Sequence, residues 1–315
     1  MHGKDHMKSL RDAIRKESFV LTAELPLSDH IDGATLVANA VHLHPWVDAI
    51  QLTDNQRGRV HASSLAVAAM MLQEGIDPVL HVTCRNRNRV ALESDLLGAA
   101  AVGVTSLVVM RGSNRGAGPR AKVKPVFDTG ATELIAVARA MCDGRVPSGK
   151  PLHPAPDFLI GAVGTVFSPE EDWKPRGLTA KLDAGARFLQ TQPCFDIPAL
   201  RSYLNRLVAE RLTWKFQVIV GLACLPSVTA ARWVSDIAGG ALIPDATVQR
   251  LKQARDPEQE GVEICAELLQ EFMEIPGVAG VNLTPLGNPD AVVEAVKLSG
   301  VRPGLQSAGE SKNGV

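Results

Sequence analysis

A chain of 315 residues that is 45% hydrophobic and 21% charged carries enough apolar material for one large domain or two small ones. Its formal net charge of -1 offers no overall electrostatic case for nucleic acid. Aromatics at 4%, with Tyr203 the single tyrosine, argue against a base-stacking platform.

Five cysteines, Cys84, Cys142, Cys194, Cys224 and Cys265, are scattered and form no CxxC pair. That pattern suits a reducing compartment without structural zinc. The start, Met1 to His6, is polar and does not read as a signal peptide. The longest weakly polar run, Leu96 to Met110, is broken by Gly98, Gly103, Thr105 and Ser106 and is too short to span a bilayer. The expectation is a cytoplasmic protein with no membrane partner.

In chain order the pattern is strand, polar loop, helix, repeated. Phe19 to Glu24 is a first strand ending on a carboxylate, followed by an amphipathic helix from Ala34 to Val41. Asp48 to Thr53 is the second strand, with the loop Asp54 to Arg59 and a helix capped by Ser63 or Ser64. Pro78 to Thr83 is the third, with a helix from about Arg89 to Val102. Ser106 to Met110 and Phe158 to Val163 are the fourth and fifth, separated by Gly/Pro-rich loops and a helix from Thr132 to Cys142. Next come a helix ending at Asp183 before Gly185, a strand from Phe188 to Gln192 and a helix from Ile197 to Glu210. The seventh strand is Phe216 to Leu222. Helices at 228–237, 247–255 and 257–274 precede the eighth, Val278 to Leu283, and a last helix runs from Pro289 to Leu298.

Eight strands, each followed by a helix, make a (β/α)8 TIM barrel, an α/β fold with extra helices before the eighth strand. The barrel is a single domain over 18–301, with 1–17 a lead-in and 302–315 a disordered tail. No GxGxxG follows the first strand, and no GxxxxGK[ST] is present. Nothing isolates an interface face, so a homo-oligomer stays open.

In such a barrel, chemistry gathers at the strand C-termini. Those positions hold Glu24, Thr53 with Asp54, His81 with Thr83, Arg111 with Ser113, Thr165, Gln192, and Asn282 with Thr284. The grouped His, Asp and Glu of a metal site are missing, so no metal is expected. Glu24 stands among apolar neighbours. It reads either as a general acid of raised pKa or as a structural carboxylate bonding loop amides. Arg85, Arg87 and Arg89 could hold phosphate or carboxylate, or pair with Glu93 and Asp95 on the following helix. Pairing is the preferred reading for at least two of them. Gly112, beside Arg111, permits close backbone approach to a ligand. Cys84 and Cys194 lack a base partner and read as packing residues.

Taken together, Thr53-Asp54-Asn55 with Arg57-Gly58-Arg59, His81-Val82-Thr83-Cys84-Arg85-Asn86-Arg87-Asn88, Ser94 to Ala99, and Asp183-Ala184-Gly185-Ala186 running into Thr191 to Asp196 resemble the methylenetetrahydrofolate reductase family. The likeness runs in order from about Ser18 to Gly300. It implies a (β/α)8 barrel and the interconversion of 5,10-methylenetetrahydrofolate and 5-methyltetrahydrofolate in one-carbon metabolism and methionine biosynthesis. It implies FAD as the bound cofactor and NAD(P)H as hydride donor, the two reactants taking the same flavin face in turn. By position it makes Glu24 the general acid and Gln192 a folate contact close to the nicotinamide. Thr53 becomes a nicotinamide contact and Ser113 a substrate-side residue. His81, Arg111, Gly112 and Lys181 become flavin contacts.

The same comparison shows departures. The family's acidic residue after Arg-Gly is Ser113 here, so the carboxylate that tunes the flavin is replaced. Its tyrosine and histidine after the fifth strand align with Val163 and Phe167, and another flavin-side tyrosine falls near Phe127. The arginine that follows the eighth strand is lost in Leu283-Thr284-Pro285-Leu286-Gly287-Asn288. Three readings follow: a reductase with FAD, a flavin-free reductase taking hydride directly from NAD(P)H, and a non-redox folate-binding partner in a one-carbon or demethylation complex.

Overall fold

The computed structural model describes residues 8–16, 18–27, 32–113, 123–237 and 240–302. Eight parallel strands close into a barrel in sequence order: β1 (Val20–Glu24), β2 (Ala49–Leu52), β3 (Pro78–Thr83), β4 (Ser106–Met110), β5 (Leu159–Gly164), β6 (Phe188–Pro193), β7 (Gln217–Ala223) and β8 (Val278–Thr284), with β8 pairing back to β1. The crossovers carry α2 (Gly33–Leu43), α3 (Ser64–Gln73), α4 (Arg89–Val102), α5 (Ala131–Cys142), α6 (Arg176–Asp183) and α7 (Ile197–Ala209). The expected extra helices before the eighth strand follow α8 (Val228–Ile237) as α9 (Asp245–Gln253) and α10 (Pro257–Met273), and α11 (Pro289–Ser299) closes the ring. The (β/α)8 expectation is met.

Helix ends follow local chemistry. Asn88 accepts from the Ala91 amide at 3.0 Å to start α4, and Gly103, in the left-handed region at φ 98°, ends it. Asp256 caps α10 in the same way, with Pro257 at its first position. The apolar faces of these helices pack on the outward faces of the strands, and that layer forms the larger core.

Inward-facing residues recur with period two and change character with height. The bottom row is apolar: Val20, Ala49, Val79, Val108, Phe188 and Ile219. Gly161 belongs to this interior too. A Cβ there would come within 2.2 Å of the Phe188 ring, so its absence makes room for the one large ring. Above lies a buried polar row, with Thr22, Gln51, His81, Gln190 and Asn282 each at most 5% exposed.

The segment read as a lead-in is part of the barrel. Its helix α1 (Leu10–Arg15) places Leu10 and Ala13 in the bottom apolar row. The Leu10 amide donates to Asp77 Oδ2 at 2.9 Å, and burial pushes the Asp77 carboxyl up to about 6. Nearby, Asp48 accepts from the Leu21 amide at 2.9 Å and pairs with both Lys8 and Arg302, which joins the two ends of the described chain to one carboxylate. The rest of the expected tail, 303–315, lies outside the described residues.

Because Leu10 is fully buried under the barrel, Leu10→Ala should cost about 3 kcal/mol of unfolding free energy. Urea unfolding measures this, and a loss within about 0.5 kcal/mol, as at a surface site, would mean that α1 does not seal the floor.

Candidate active site

The strand C-termini surround a cavity of about 120 Å³ whose polar wall includes Glu24, Thr53, Asp54, His81, Gln190 and Gln192. Asn282 and Thr284 complete it from β8, and Met110, Val163 and Trp233 supply apolar surface. Glu24 ends β1 at the cavity wall. Its Oε1 accepts from Asn282 Nδ2 at 3.2 Å. Burial pushes the carboxyl from its ordinary 4.5 up to about 7, and hydrogen bonds from Asn282 and Thr284 partly oppose that rise. A carboxyl in this range is divided between its acid and its carboxylate near neutral pH.

His81 faces the same space from β3. Its Nε2 lies 2.6 Å from Gln51 Oε1, and burial pushes its pKa down to about 4, so the ring is neutral at physiological pH. An amide oxygen only accepts, which puts the ring proton on Nε2. Thr53 is fixed through its backbone: its carbonyl accepts from Ser64 Oγ at 2.7 Å. Ser63 is the N-cap of α3 by position, but its side chain makes no capping bond. Asp54 Oδ2 accepts from the Thr83 amide at 2.7 Å and pairs with Arg87, which also holds Asp95. Burial raises the Asp54 pKa and the Arg87 guanidinium opposes this.

The remaining sequence-predicted residues stand apart from this cavity. Arg111 is exposed, with its guanidinium 4.3 Å from the Phe127 ring centroid in a cation–π contact. Gly112 has φ 82°, and a Cβ would come within 2.3 Å of Thr83 Oγ1 and 2.8 Å of Arg85 Cβ. The glycine is therefore needed to admit these two side chains. Ser113 is exposed on the rim, and its carbonyl accepts from Arg85 Nε at 2.8 Å. Lys181 lines a second cleft of about 280 Å³ beside the first, along with Thr165, Phe167, Trp173 and Tyr203. Its Nζ donates to the Val163 carbonyl at 2.7 Å, and burial lowers its pKa. Thr83 also stays out of the cavity wall: it is buried, and its Oγ1 lies 3.4 Å from the Arg111 carbonyl.

Three interior residues escaped the reading of strand ends: Thr22, Gln51 and Gln190. Each lies inside its strand, one to three positions below the terminus, and a polar residue at an inward-facing position is the signal that marks it. Gln190 Oε1 is buried at the cavity with no partner among the described residues. No group of three or more metal-ligating side chains occurs among the described residues.

A family model for methylenetetrahydrofolate reductase matches residues 9–300. The chain belongs to the methylenetetrahydrofolate reductase family. Methylenetetrahydrofolate reductase 1 of Schizosaccharomyces pombe is 24% identical over 208 residues, 63% of this chain and 32% of that protein. A probable methylenetetrahydrofolate reductase (NADPH) of Caenorhabditis elegans is 21% identical over 247 residues, 77% of this chain and 35% of that one. The chain thus spans about a third of the length of these curated relatives. Among solved structures, a Clostridium thermocellum protein that binds two copies of 5-methyl-5,6,7,8-tetrahydrofolic acid shares the fold at TM-score 0.59 and 13% identity, over 92% of this chain and 96% of that one. No helix among the described residues is long and apolar enough to cross a membrane.

The side chains that the family pattern gives to FAD do not share one wall here. His81 Nε2 is taken by Gln51, Arg111 stacks on Phe127, the open side of Gly112 faces Thr83 and Arg85, and Lys181 turns into the second cleft. The described residues therefore do not fit the family's flavin cradle.

The raised carboxyl carries a stability consequence. Between its unfolded value of 4.5 and its folded value of about 7, Glu24 binds its proton more tightly in the folded chain. Its contribution is fully present below pH 4.5 and is lost as pH rises through 7. Relative to the parent chain, Glu24→Gln should gain about 2–3 kcal/mol of stability across that window. Urea unfolding of both at several pH values tests it, and a difference that stays flat with pH would contradict the raised carboxyl.

Proposed function

We propose that this chain is a cytoplasmic oxidoreductase interconverting 5,10-methylenetetrahydrofolate and 5-methyltetrahydrofolate, with NAD(P)H as the hydride source and Glu24 as general acid. The observation that carries the reading is a half-buried carboxyl of pKa about 7 at the end of β1, facing a cavity whose polar wall is otherwise amides, hydroxyls, His81 and an Asp54 already paired with Arg87. A binding site for a folate alone does not need an acid held in that range.

In the reductive direction, Glu24 gives its proton to the folate nitrogen as the carbon–nitrogen bond of the five-membered ring breaks. The iminium so formed takes a hydride from the dihydronicotinamide, which leaves as NAD(P)+. Gln192 and Thr53 border the same cavity and Ser113 lies on the rim, which supports assigning them to folate and nicotinamide in this reading. The poor fit to a flavin cradle favours direct hydride transfer over relay through FAD. NAD(P)H and folate must then be present together.

A second reading, a folate-binding protein with no redox step, draws support from the Clostridium thermocellum relative in fold, which binds two folate molecules. The visible spectrum of the purified chain after incubation with excess FAD and desalting, paired with a turnover assay, separates the readings. A colourless protein that oxidises NAD(P)H only with methylenetetrahydrofolate is the expected result, and Glu24→Gln should lower that turnover at least about 100-fold. A retained flavin spectrum would restore the FAD route. A colourless protein that binds folate without turnover would leave the binding reading.

A further inference from the structure

Three side chains join His81 to Glu24 without a break inside the barrel. His81 Nε2 lies 2.6 Å from Gln51 Oε1, Gln51 Nε2 donates to Thr22 Oγ1 at 2.8 Å, and Thr22 Oγ1 donates to Asn282 Oδ1 at 2.9 Å. Asn282 Nδ2 then donates to Glu24 Oε1 at 3.2 Å. The route runs from β3 through β2 and β1 to β8 and back to β1. His81, Gln51, Thr22 and Asn282 are 5%, 0%, 0% and 2% exposed, so the three bonds from His81 to Asn282 are shielded from water, and the last meets Glu24 at the cavity wall.

The sense of this chain is constrained at every joint. The Thr22 hydroxyl carries one proton. Because it accepts from Gln51, it must donate to Asn282, whose amide oxygen then faces Thr22 and whose N–H faces Glu24. Gln51 in turn offers its oxygen to His81, whose proton must sit on Nε2. Reversing one joint reverses them all. With the His81 proton on Nδ1, Gln51 would turn its N–H to the ring, Thr22 would donate to Gln51, and Asn282 would present its oxygen to Glu24. That oxygen could accept only from a protonated carboxyl. The observed sense favours the carboxylate, and the reversed sense favours the acid.

We infer that Gln51 and Thr22 are positioning residues that hold the Asn282 amide N–H toward Glu24, and that the tautomer of His81 selects which protonation state of Glu24 is stabilised. The other groups that could set this equilibrium are few. Thr284 also hydrogen-bonds the carboxyl, and Asp54, held by the Thr83 amide and Arg87, is the remaining titratable group on the cavity wall. β6, β7, β8 and α8 add no charged side chain to that wall. The inference depends on the proposed reductase only where it speaks of turnover.

The test reads Glu24 directly, without substrate, from the 13C titration of its carboxyl, assigned by its loss in Glu24→Gln. Thr22→Val keeps the shape and removes the joint, so Asn282 is free to turn its oxygen to the carboxyl. The Glu24 midpoint should rise by about one pH unit, whereas Thr22→Ser should keep it. An unchanged midpoint in Thr22→Val overturns the inference. The wild-type chain supplies a check that no folding defect can blunt: 15N shifts must show His81 neutral with its proton on Nε2, and a proton on Nδ1 overturns the proposed sense. Where folate turnover is present, the alkaline fall of its rate should move with the midpoint in Thr22→Val. A midpoint that moves in a chain with no turnover would uphold the network and sink the reductase reading instead.

Discussion

The inside of an eight-stranded barrel is only wide enough for its own side chains, and each inward position must be satisfied by its neighbours. In this chain that constraint divides the interior by height. The floor is apolar and dry, set by Phe188 and closed from below by Leu10. One step up, the inward residues are polar and too deep for water, so they bond one another: Thr22, Gln51, His81 and Asn282 form one connected set. One step further, that set ends on Glu24 at the cavity. The position of the carboxyl is thus a consequence of how the row beneath it is satisfied, and its high proton affinity a consequence of the burial that the same packing imposes.

Much of this was legible in the sequence because the elements are locally consistent. Helix α4 was read with its observed limits, since Asn88 starts it and Gly103 stops it. Strands that are buried on both faces read as apolar runs, and their C-terminal polar residues pointed to the mouth. The interior below the mouth was harder to see. Gln51 and Gln190 sit within such runs, where one amide looks like an interruption, and only the closure of the barrel shows that they face inward with His81. Lys181 was also out of reach, because the choice between the two neighbouring clefts is made by the Val163 carbonyl to which its ammonium bonds. Helix α1 is six residues long and its burial depends wholly on tertiary contact, so a polar-looking lead-in concealed a floor plug.

The three arginines after β3 show how one motif can divide its work. Arg87 bridges Asp54 and Asp95, and so ties the β2 loop to α4. Arg89 reaches Glu133 on α5 and not the carboxylates of its own helix. Arg85 is buried and donates to the Ser113 carbonyl and Asn86 Oδ1, which anchors the rim after β4 to the loop after β3. Pairing with Glu93 and Asp95 was the preferred expectation for at least two of the three; Arg87 meets it through Asp95, whereas Arg89 pairs with Glu133 instead.

The plug beneath the barrel has a consequence for traffic. With Leu10, Ala13 and Phe188 filling the base, anything that reaches Glu24 along the barrel axis enters from the rim and must leave the same way. Arrival and departure therefore pass the same ring of loops, and a substitution on that ring acts on both.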